Sequence, residues 1–259
     1  MKKIIYRQAT PEDAENIVQL SQFVSGEKNR WTVEYWKKYY YSYPTGTPFI
    51  LVAETDDGKL VGHYSLLPVE LSFGLGMMQS HVFAHPEYRG VNILAEFMNR
   101  GLEHAKSCSA TVMLAFTQPR FAKVLRRLYG WKVAGHLNFH DYSQVNTAQY
   151  ANYFRFVPDD AWYLWRFGDI QNNYIFPHSH YGKDNQQLWK NKQGNYIEAS
   201  ALGFDVINCW RPEQSNPTTP SDWGISFVIK PISNISEKLL DIRNWYIEIG
   251  DSDLHLQQL

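Results

Sequence analysis

Residues 85–94 combine the residue types and the position that binding of a phosphate group requires. Arg89 and Gly90 stand between an apolar segment, predicted to be a strand, and an amphipathic segment, predicted to be a helix. The first amides of a helix have no partner within it and lie at the positive end of its dipole, so a turn here can hold a pyrophosphate. The sequence therefore predicts a local anion site that does not depend on a basic surface.

The composition of the chain argues against several classes of function. With 25 Lys and Arg against 26 Asp and Glu, the chain has no overall attraction for nucleic acid or an anionic membrane, and we expect neither as a partner. Residues 1–6 are too short an apolar stretch for a signal peptide, and no window approaches the ~20 apolar residues of a membrane span, which predicts a cytoplasmic protein. Cys108 and Cys209 lack the spacing of metal ligands, so we expect no metal.

Turn signals and hydrophobic patterns predict a helix followed by three antiparallel strands. Residues 10–13 combine a capping hydroxyl, a proline and an acid, which is typical of a helix start. The apolar residues 48–53 and the partly alternating residues 60–71 flank a turn at 56–59, which favours a hairpin. Residues 77–84 add a third antiparallel strand after a glycine-containing break.

The next segment predicts a parallel pair of strands. Apolar residues recur at helical spacing over 93–105, and the short apolar run 110–116 predicts a strand. Two strands joined through one helix are expected to lie parallel. Pro119 opens a second helix that Gly130 ends, and residues 131–140 predict the closing strand.

The length of the chain favours two domains with a boundary near residue 145. We expect residues 1–144 to form the first domain and residues 145–259 the second. Aromatic residues make up 15% of the chain and concentrate in residues 31–43 and 150–165. They can either pack in the core and between domains, or line a cleft that stacks on a base or a sugar ring.

Residues 5 to about 140 resemble the GCN5-related N-acetyltransferase (GNAT) superfamily in the order of their elements and in two motifs. The acyl-CoA turn of that family has the form Arg/Gln-x-x-Gly-x-Gly/Ala, and Arg89 occupies its first position. The second helix of the family ends in Gly-Phe or Gly-Trp, as Gly130 and Trp131 do here. The resemblance implies an α/β fold with a mixed, mostly antiparallel sheet flanked by helices. It also implies a second, smaller α/β domain, for which a degenerate copy of the first is one option.

The turn departs from the family pattern at two positions. Asn92 stands where the family prefers glycine, but Asn tolerates left-handed and strained conformations better than most residues. Leu94 stands where the family prefers glycine or alanine, and its side chain can point into the core. A shifted pyrophosphate site is the alternative to a retained one.

The resemblance also implies which residues bind acetyl-CoA or another short acyl-CoA. The pantetheine arm is expected between two splayed parallel strands, against the backbone of Phe83 and Ala84, where an amide polarises the thioester carbonyl. Gln118 is expected either to contact the same arm or to cap its helix. A basic helix face can either meet the phosphates or remain solvated. The expected phosphate-binding residues are Arg89, Gly90, Val91, Asn92, Ile93, Leu94 and Arg126.

Attack on a thioester requires a neutral amine, so we expect either a base or a chain of water molecules near the thioester to take a proton from the acceptor. His81 is the first candidate because it lies in the strand beside the expected thioester, and an unperturbed imidazole titrates near pH ~6.5. A structural role is the alternative for His81, and His85 and Glu87 are candidates nearer the turn. Many family members place a general-acid Tyr four residues before the Gly of the second helix. Arg126 occupies that position here, and Tyr129 lies too late in the helix to replace it.

Residues 162–167 and 245–253 resemble bacterial two-part members of the superfamily from surface-polysaccharide pathways, some of which acylate nucleotide-linked amino sugars. The resemblance implies that an aromatic ring, a guanidinium and two carboxylates contact the acceptor, from Trp165, Arg166, Asp251 and Asp253. The predicted reaction is transfer of an acetyl or short acyl group to the amine of a dTDP- or UDP-linked amino sugar. The alternatives are acylation of an antibiotic, polyamine or peptide amine, and a degenerate CoA-binding protein without activity.

Overall fold

The computed structural model of the protein describes residues 3–26, 31–89, 92–137, 153–157, 159, 161–162, 165 and 225–247. The strands in this part of the chain are β1 (Ile4–Gln8), β2 (Phe49–Thr55), β3 (Leu60–Leu71), β4 (Gly74–Ala84), β5 (Val112–Thr117), β6 (Lys132–Leu137), β7 (Phe154–Arg155), β8 (Ile225–Pro231) and β9 (Trp245–Tyr246). The α-helices are α1 (Ala14–Ser25), α2 (Val33–Tyr41), α3 (Ile93–Ser107) and α4 (Pro119–Tyr129).

Seven strands form one mixed sheet in the order β1-β2-β3-β4-β5-β8-β6. The first four strands are an antiparallel meander, and β4 and β5 are parallel. Both pairings of β8 are antiparallel. The predicted fold, a mostly antiparallel α/β sheet flanked by helices, is therefore confirmed. The small two-stranded sheet of β7 and β9 lies outside it.

The strand between β5 and β6 comes from far along the chain. Residues 131–140 were expected to close the sheet, and β6 does lie at its edge, but β6 pairs with β8 and not with β5. The predicted division at residue 145 did not anticipate that Ile225–Pro231 belongs to the sheet of the first domain. In chain order, residues 138–224 therefore separate β6 from β8, two neighbouring strands of one sheet. Most of the second domain predicted for residues 145–259 lies outside the described residues, and that domain stays a prediction.

The helices cover both faces of the sheet. Residues of α1 and α2, such as Ile17 and Trp36, belong to the hydrophobic core on one face. Residues of α3 and α4, such as Phe97 and Leu125, belong to the core on the other face. As a result β3 is buried at every position except Glu70, which explains why its sequence alternates only partly.

Local signals placed the ends of several helices correctly. The Thr10 and Asp13 capping box precedes α1, as predicted, with a short 3-10 helix (Pro11–Asp13) leading into it. Gly130 ends α4 in the left-handed conformation, with φ at 68°. The start of α2 has the same physical basis, because the hydroxyl of Thr32 accepts a hydrogen bond from the amide of Tyr35 at 3.0 Å.

We expect Gly101→Ala to destabilise the protein by about 1–2 kcal/mol, measured by urea unfolding. A methyl group at Gly101 would overlap with the hydroxyl of Tyr64, which lies fully buried under α3. This overlap should outweigh the better helix propensity of Ala, about 1 kcal/mol. The Tyr64 hydroxyl has no hydrogen-bond partner among the described residues, so adding Tyr64→Phe should recover part of the loss. Equal stability of Gly101→Ala and the parent protein would contradict this packing.

Candidate active site

The parallel strands β4 and β5 pair along only part of their length. Their ladder runs from Gly76 opposite Val112 to Met78 opposite Leu114. Strand β4 continues to Ala84 and β5 continues to Thr117, without further pairing between them in the described part of the chain. We call this opening, between residues 79–84 and residues 115–117, the β4–β5 wedge. It agrees with the expected splaying of the two strands.

A β-bulge in β4 lies at the start of the wedge. Ser65 pairs with Ser80 and His63 with Phe83, so β4 has one residue more than β3 between these pairs. His81 lies in this bulge with a φ of 48°, a left-handed conformation that His adopts more readily than most residues. Because a bulge bends its strand and disrupts the ladder, it accounts for the departure of β4 from β5.

The backbone of Phe83 and Ala84 was expected to contact the pantetheine arm, and one of these two residues directs its amide into the wedge. The amide of His85 donates to the carbonyl of Val61 in β3, at 2.8 Å. Since successive residues of a strand direct their amides to opposite sides, Ala84 faces the wedge and Phe83 faces β3. The carbonyl of Ala84 accepts a hydrogen bond from Nε of Arg89 at 3.3 Å, which places the Arg89 guanidinium beside the same opening.

His85 and Glu87, the other two candidate bases, make contacts within the turn that follows β4. His85 precedes a short 3-10 helix (Pro86–Tyr88), and its Nδ1 accepts a hydrogen bond from the amide of Glu87 at 3.4 Å. The His85 ring stacks on Phe23, with ring centroids 4.8 Å apart. The carboxylate of Glu87 is exposed and lies 3.8 Å from His85 Nδ1. These contacts position the turn, and a catalytic role for either residue stays a prediction.

The first turn of α3 receives no capping hydrogen bond from the side chain that precedes it. Asn92 precedes the helix and its side chain makes no capping hydrogen bond. Its φ is −63°, so the left-handed conformation that we considered for it is not used. Ile93 is buried in the core and Leu94 packs against the same core, so both side chains contact the core of the protein. Gly90 and Val91 lie outside the described residues.

Two predicted cofactor residues of α4 are exposed. Gln118 follows the last residue of β5 at the wedge, and its side chain makes no capping hydrogen bond. Arg126 is exposed in the last turn of the helix, at the opposite end from Gln118. Tyr129 is half-buried, which raises the pKa of its phenol, and its carbonyl accepts a hydrogen bond from Lys230 at 2.8 Å. Binding of a cofactor by Gln118 and Arg126 stays a prediction.

Aromatic residues surround the side chain of His81. The ring centroid of Trp31 lies 4.2 Å from that of His81, and Tyr39 of α2 lies 5.2 Å from it. Trp165 packs against Tyr39 and Tyr43, with centroid distances of 5.0 and 4.7 Å. The two aromatic segments of the sequence therefore meet on the side of the sheet that carries the His81 ring.

This aromatic cluster supports the packing interpretation for most of its members. Trp31, Tyr39 and Tyr43 are each less than a tenth exposed, while Trp165 is half-buried. Trp165, one of the four residues expected to contact the acceptor substrate, therefore lies near His81. Arg166, Asp251 and Asp253 lie outside the described residues, so their acceptor contacts stay predictions.

The sequence did not identify His63 and Tyr40 as residues of the site. Nδ1 of His63 donates a hydrogen bond to the carbonyl of His81 at 2.8 Å. This bond replaces the one that the same carbonyl lacks because the bulge interrupts the β3–β4 ladder. Burial lowers the pKa of His63 to about 3, so its ring is neutral at ordinary pH. The hydroxyl of Tyr40 lies 3.1 Å from Nδ1 of His81. Both contacts join residues distant in sequence. The cap at Thr32 is a local signal for the helix that carries Tyr40, and that helix was not predicted.

Two further findings concern the described residues only. None of their helices combines the length and apolar character that crossing a bilayer requires. No group of three or more His, Cys, Asp or Glu side chains among them is arranged to hold a metal ion.

Comparison with known proteins places the chain in a family. A model of the acetyltransferase (GNAT) domain matches residues 5–134, which is half of the chain. No curated protein matches the chain.

Several solved structures are similar to this chain. A conserved protein of unknown function from Enterococcus faecalis, described as a probable N-acyltransferase, has a TM-score of 0.57 and 11% identity, covering 89% of this chain and 73% of that one. The GNAT family N-acetyltransferase YhbS from Escherichia coli, in complex with CoA, has a TM-score of 0.42 and 17% identity, covering 52% and 71%.

A third similar structure is a GCN5-related glucosamine N-acetyltransferase region in a fungal multi-domain GH3 beta-N-acetylglucosaminidase. It has a TM-score of 0.48 and 13% identity over 57% of this chain, and the match spans 19% of that longer protein. At 11% identity, the likeness to the Enterococcus faecalis protein shows a shared fold alone. Because the GNAT model matches half of the chain, the chain belongs to the GNAT acetyltransferase family and is an N-acyltransferase.

Proposed function

We propose that the protein transfers an acetyl or related short acyl group from acyl-CoA to the amine of a nucleotide-linked amino sugar, with His81 as the general base. The observation that carries this proposal is the position of His81. It lies in the bulge that opens the β4–β5 wedge, with its ring among the aromatic residues of α2. A thioester in the wedge and an acceptor on the α2 side would then meet at this residue.

The wedge fits a pantetheine arm because the strand edges that face it do not pair with each other beyond Met78 and Leu114. The facing edges of β4 and β5 beyond Met78 and Leu114 carry amides and carbonyls that a linear chain with its own amides can pair with. The amide of Ala84 is directed into this space, where it can donate to the carbonyl oxygen of the thioester. A donor held there acts most strongly on the negative charge that grows during attack.

The start of α3 and Arg89 fit the diphosphate of CoA. The first amides of α3 lack a side-chain cap, and the positive end of the helix dipole favours an anion. The exposed Arg89 guanidinium is hydrogen-bonded to the carbonyl of Ala84 at the end of β4, beside the wedge. Gly90 and Val91 belong to the same proposed binding turn.

The proposed reaction is a direct transfer. The acceptor ammonium first loses a proton to solvent, and the neutral nitrogen attacks the thioester carbon and forms the C–N bond. Nε2 of His81 is buried in this structure, so the acceptor has to displace part of the surrounding aromatic rings before this nitrogen takes the second proton from it. The C–S bond then breaks, and the electron pair leaves with sulfur. Return of the proton from His81 to the thiolate, directly or through water, gives the amide and free CoA thiol. No acyl group is bound to the protein at any stage.

Support for a nucleotide-linked amino sugar comes from Trp165. This half-buried ring packs against Tyr39, and Tyr39 in turn contacts His81. A single side chain therefore separates Trp165 from the proposed base. An aromatic face at this place can stack on a sugar ring or a pyrimidine base. Arg166, Asp251 and Asp253 would supply the diphosphate and hydroxyl contacts in this proposal.

The proposal is tested by measuring thiol release from acetyl-CoA and longer or hydroxylated acyl-CoAs with a panel of acceptors. The panel contains dTDP- and UDP-linked amino sugars together with a polyamine, an aminoglycoside and a peptide amine. We expect turnover with at least one nucleotide-linked amino sugar, and a kcat/KM that falls when Trp165→Ala removes the stacking face. Turnover confined to the other amines would refute the acceptor assignment and leave the transferase assignment intact.

We expect Asn92→Asp to raise the KM for acyl-CoA about tenfold without destabilising the protein. The new carboxylate lies at the start of α3, where it repels the diphosphate and at the same time interacts favourably with the helix dipole. Initial rates at varied acyl-CoA and thermal denaturation measure the two effects. Asn99→Asp makes the same charge change at an exposed position of the same helix and is the matched control. Equal KM values for the two variants would show that the diphosphate does not bind at this end of the helix.

A further inference from the structure

A buried chain of hydrogen bonds leads from the sheet to the ring of His81. Oγ of Ser65 lies 2.7 Å from the carbonyl oxygen of Ser80. A carbonyl oxygen can only accept, so Ser65 donates its single hydroxyl proton to it. Ser65 is fully buried, which keeps solvent from competing for this bond.

The direction of this first bond fixes the direction of the next. The hydroxyl of Tyr40 lies 2.9 Å from Oγ of Ser65. Because the proton of Ser65 is already used, Tyr40 donates and Ser65 accepts. The only proton of the Tyr40 hydroxyl is therefore directed away from His81.

The same reasoning reaches the imidazole. Nδ1 of His81 lies 3.1 Å from the hydroxyl oxygen of Tyr40, which can only accept in this contact. Nδ1 must therefore carry a proton. Oγ of Ser80 lies 2.7 Å from the same nitrogen, and with the proton on Nδ1 the two oxygens of Ser80 and Tyr40 share it as acceptors. In the neutral ring a proton on Nδ1 leaves the lone pair on Nε2.

We infer that Tyr40 and Ser65 are positioning residues that hold His81 in the tautomer with its lone pair on Nε2. Neither residue supplies or takes a proton in the reaction. The importance of the tautomer for catalysis rests on the proposed function, because Nε2 is the nitrogen assigned there to the substrate amine. The inference about the tautomer itself depends only on the directions of the hydrogen bonds.

The aromatic side chains around the His81 ring are uncharged, so the hydrogen bonds decide which tautomer the ring adopts. The ring contacts Trp31, Tyr39 and Tyr40, and none of these carries a charge at neutral pH. His63 on β3 is neutral and donates to the carbonyl of His81, which fixes the backbone but does not contact the ring nitrogens. A neutral imidazole in such surroundings takes the tautomer that its hydrogen-bond partners require.

Ser65→Ala is the sharpest test because it leaves every residue that touches the His81 ring in place. Without the Ser65 oxygen, the proton of Tyr40 loses its acceptor and turns to Nδ1 of His81. We expect the neutral ring to change to the form with the proton on Nε2. Tyr40→Phe should act in the same direction, since Ser80 can then donate its hydroxyl proton to Nδ1. Tyr41→Phe, at an exposed position of the same helix, is the matched control.

The tautomer is read directly from the ¹⁵N shifts of histidine side chains in labelled protein, at a pH where His81 is neutral. The spectrum of a His81→Asn variant assigns the signal. We expect Nδ1–H in the parent protein and the Tyr41→Phe control, Nε2–H in Ser65→Ala, and a kcat lowered about tenfold in Ser65→Ala and Tyr40→Phe. Rates of thiol release measure the second effect.

The outcomes separate the inference from the function that it serves. A parent protein with Nε2–H, or a Ser65→Ala variant that keeps Nδ1–H, overturns the inference whatever the enzyme activity is. A tautomer that changes as expected while kcat stays constant supports the positioning network and removes His81 as the general base.

Discussion

His81→Asn should lower kcat for acyl transfer at least about a hundredfold, because general-base catalysis contributes roughly 10²–10⁴ to such reactions. Asn is the appropriate replacement, since it has no basic nitrogen but tolerates the left-handed φ of 48° that residue 81 adopts. The bulge, and with it the β4–β5 wedge, should therefore persist. Steady-state rates of thiol release measure the effect.

The KM for acyl-CoA should change little in His81→Asn, since the proposed contacts with CoA come from the wedge backbone and the start of α3. His136→Asn makes the same side-chain change on the exposed end of β6 and serves as the control. A variant that keeps more than a third of the parent kcat would show that His81 is not the base that takes the second proton from the acceptor. His85 would then be the next candidate to replace.

The free energy of unfolding should fall by about 2 kcal/mol between pH 7 and pH 5 because of His63 alone. Burial lowers the pKa of this residue in the folded protein from 6.5 to about 3, while the unfolded chain binds a proton near pH 6.5. Below pH 6.5 the unfolded state therefore binds a proton that the folded state excludes. The stabilisation is fully present above pH 6.5 and is lost progressively as the pH falls towards 3. Urea unfolding at pH 7 and pH 5 measures it.

His63→Asn should remove this pH dependence while lowering stability at both pH values. The Asn amide can still donate to the carbonyl of His81, but it leaves a cavity between Trp36 and Phe83. His104 is the comparison, because partial burial lowers its pKa in the same direction. His104→Asn should remove a smaller part of the acid sensitivity. If His63→Asn and the parent protein lose equal stability between pH 7 and pH 5, the His63 ring is accessible to protons in the folded state.

The sequence predicted those parts of the fold that depend on short-range patterns. The meander, the parallel return of β5 and the ends of α1 and α4 follow from periodicity, capping residues and Gly130. The wedge was expected from the resemblance to the family, and the end of the β4–β5 ladder at Met78 agrees with it. For the strands and helix ends, neighbouring residues along the chain contain the information, whereas the wedge was expected from the family alone.

The parts that were not predicted depend on contacts between distant residues. Strand β8 contains an ordinary apolar run, and nothing in residues 225–231 indicates that they lie between β5 and β6. The bulge at His81 is stabilised by His63 from the neighbouring strand, and the Tyr40 hydroxyl reaches the same ring from α2. No local rule distinguishes these residues from ordinary buried aromatic and polar residues, so the sequence identified His81 but not the residues that position it.

The late position of β8 in the chain also affects how the protein assembles during synthesis. Until Ile225–Pro231 leaves the ribosome, β5 lacks the partner on its outer edge and β6 has no strand to pair with. Open strand edges of this kind favour pairing with other chains, and contacts as distant as Thr117 with Ser226 form slowly. Nascent chains that stop before residue 225 should therefore aggregate, and dependence on chaperones should end when this strand is released.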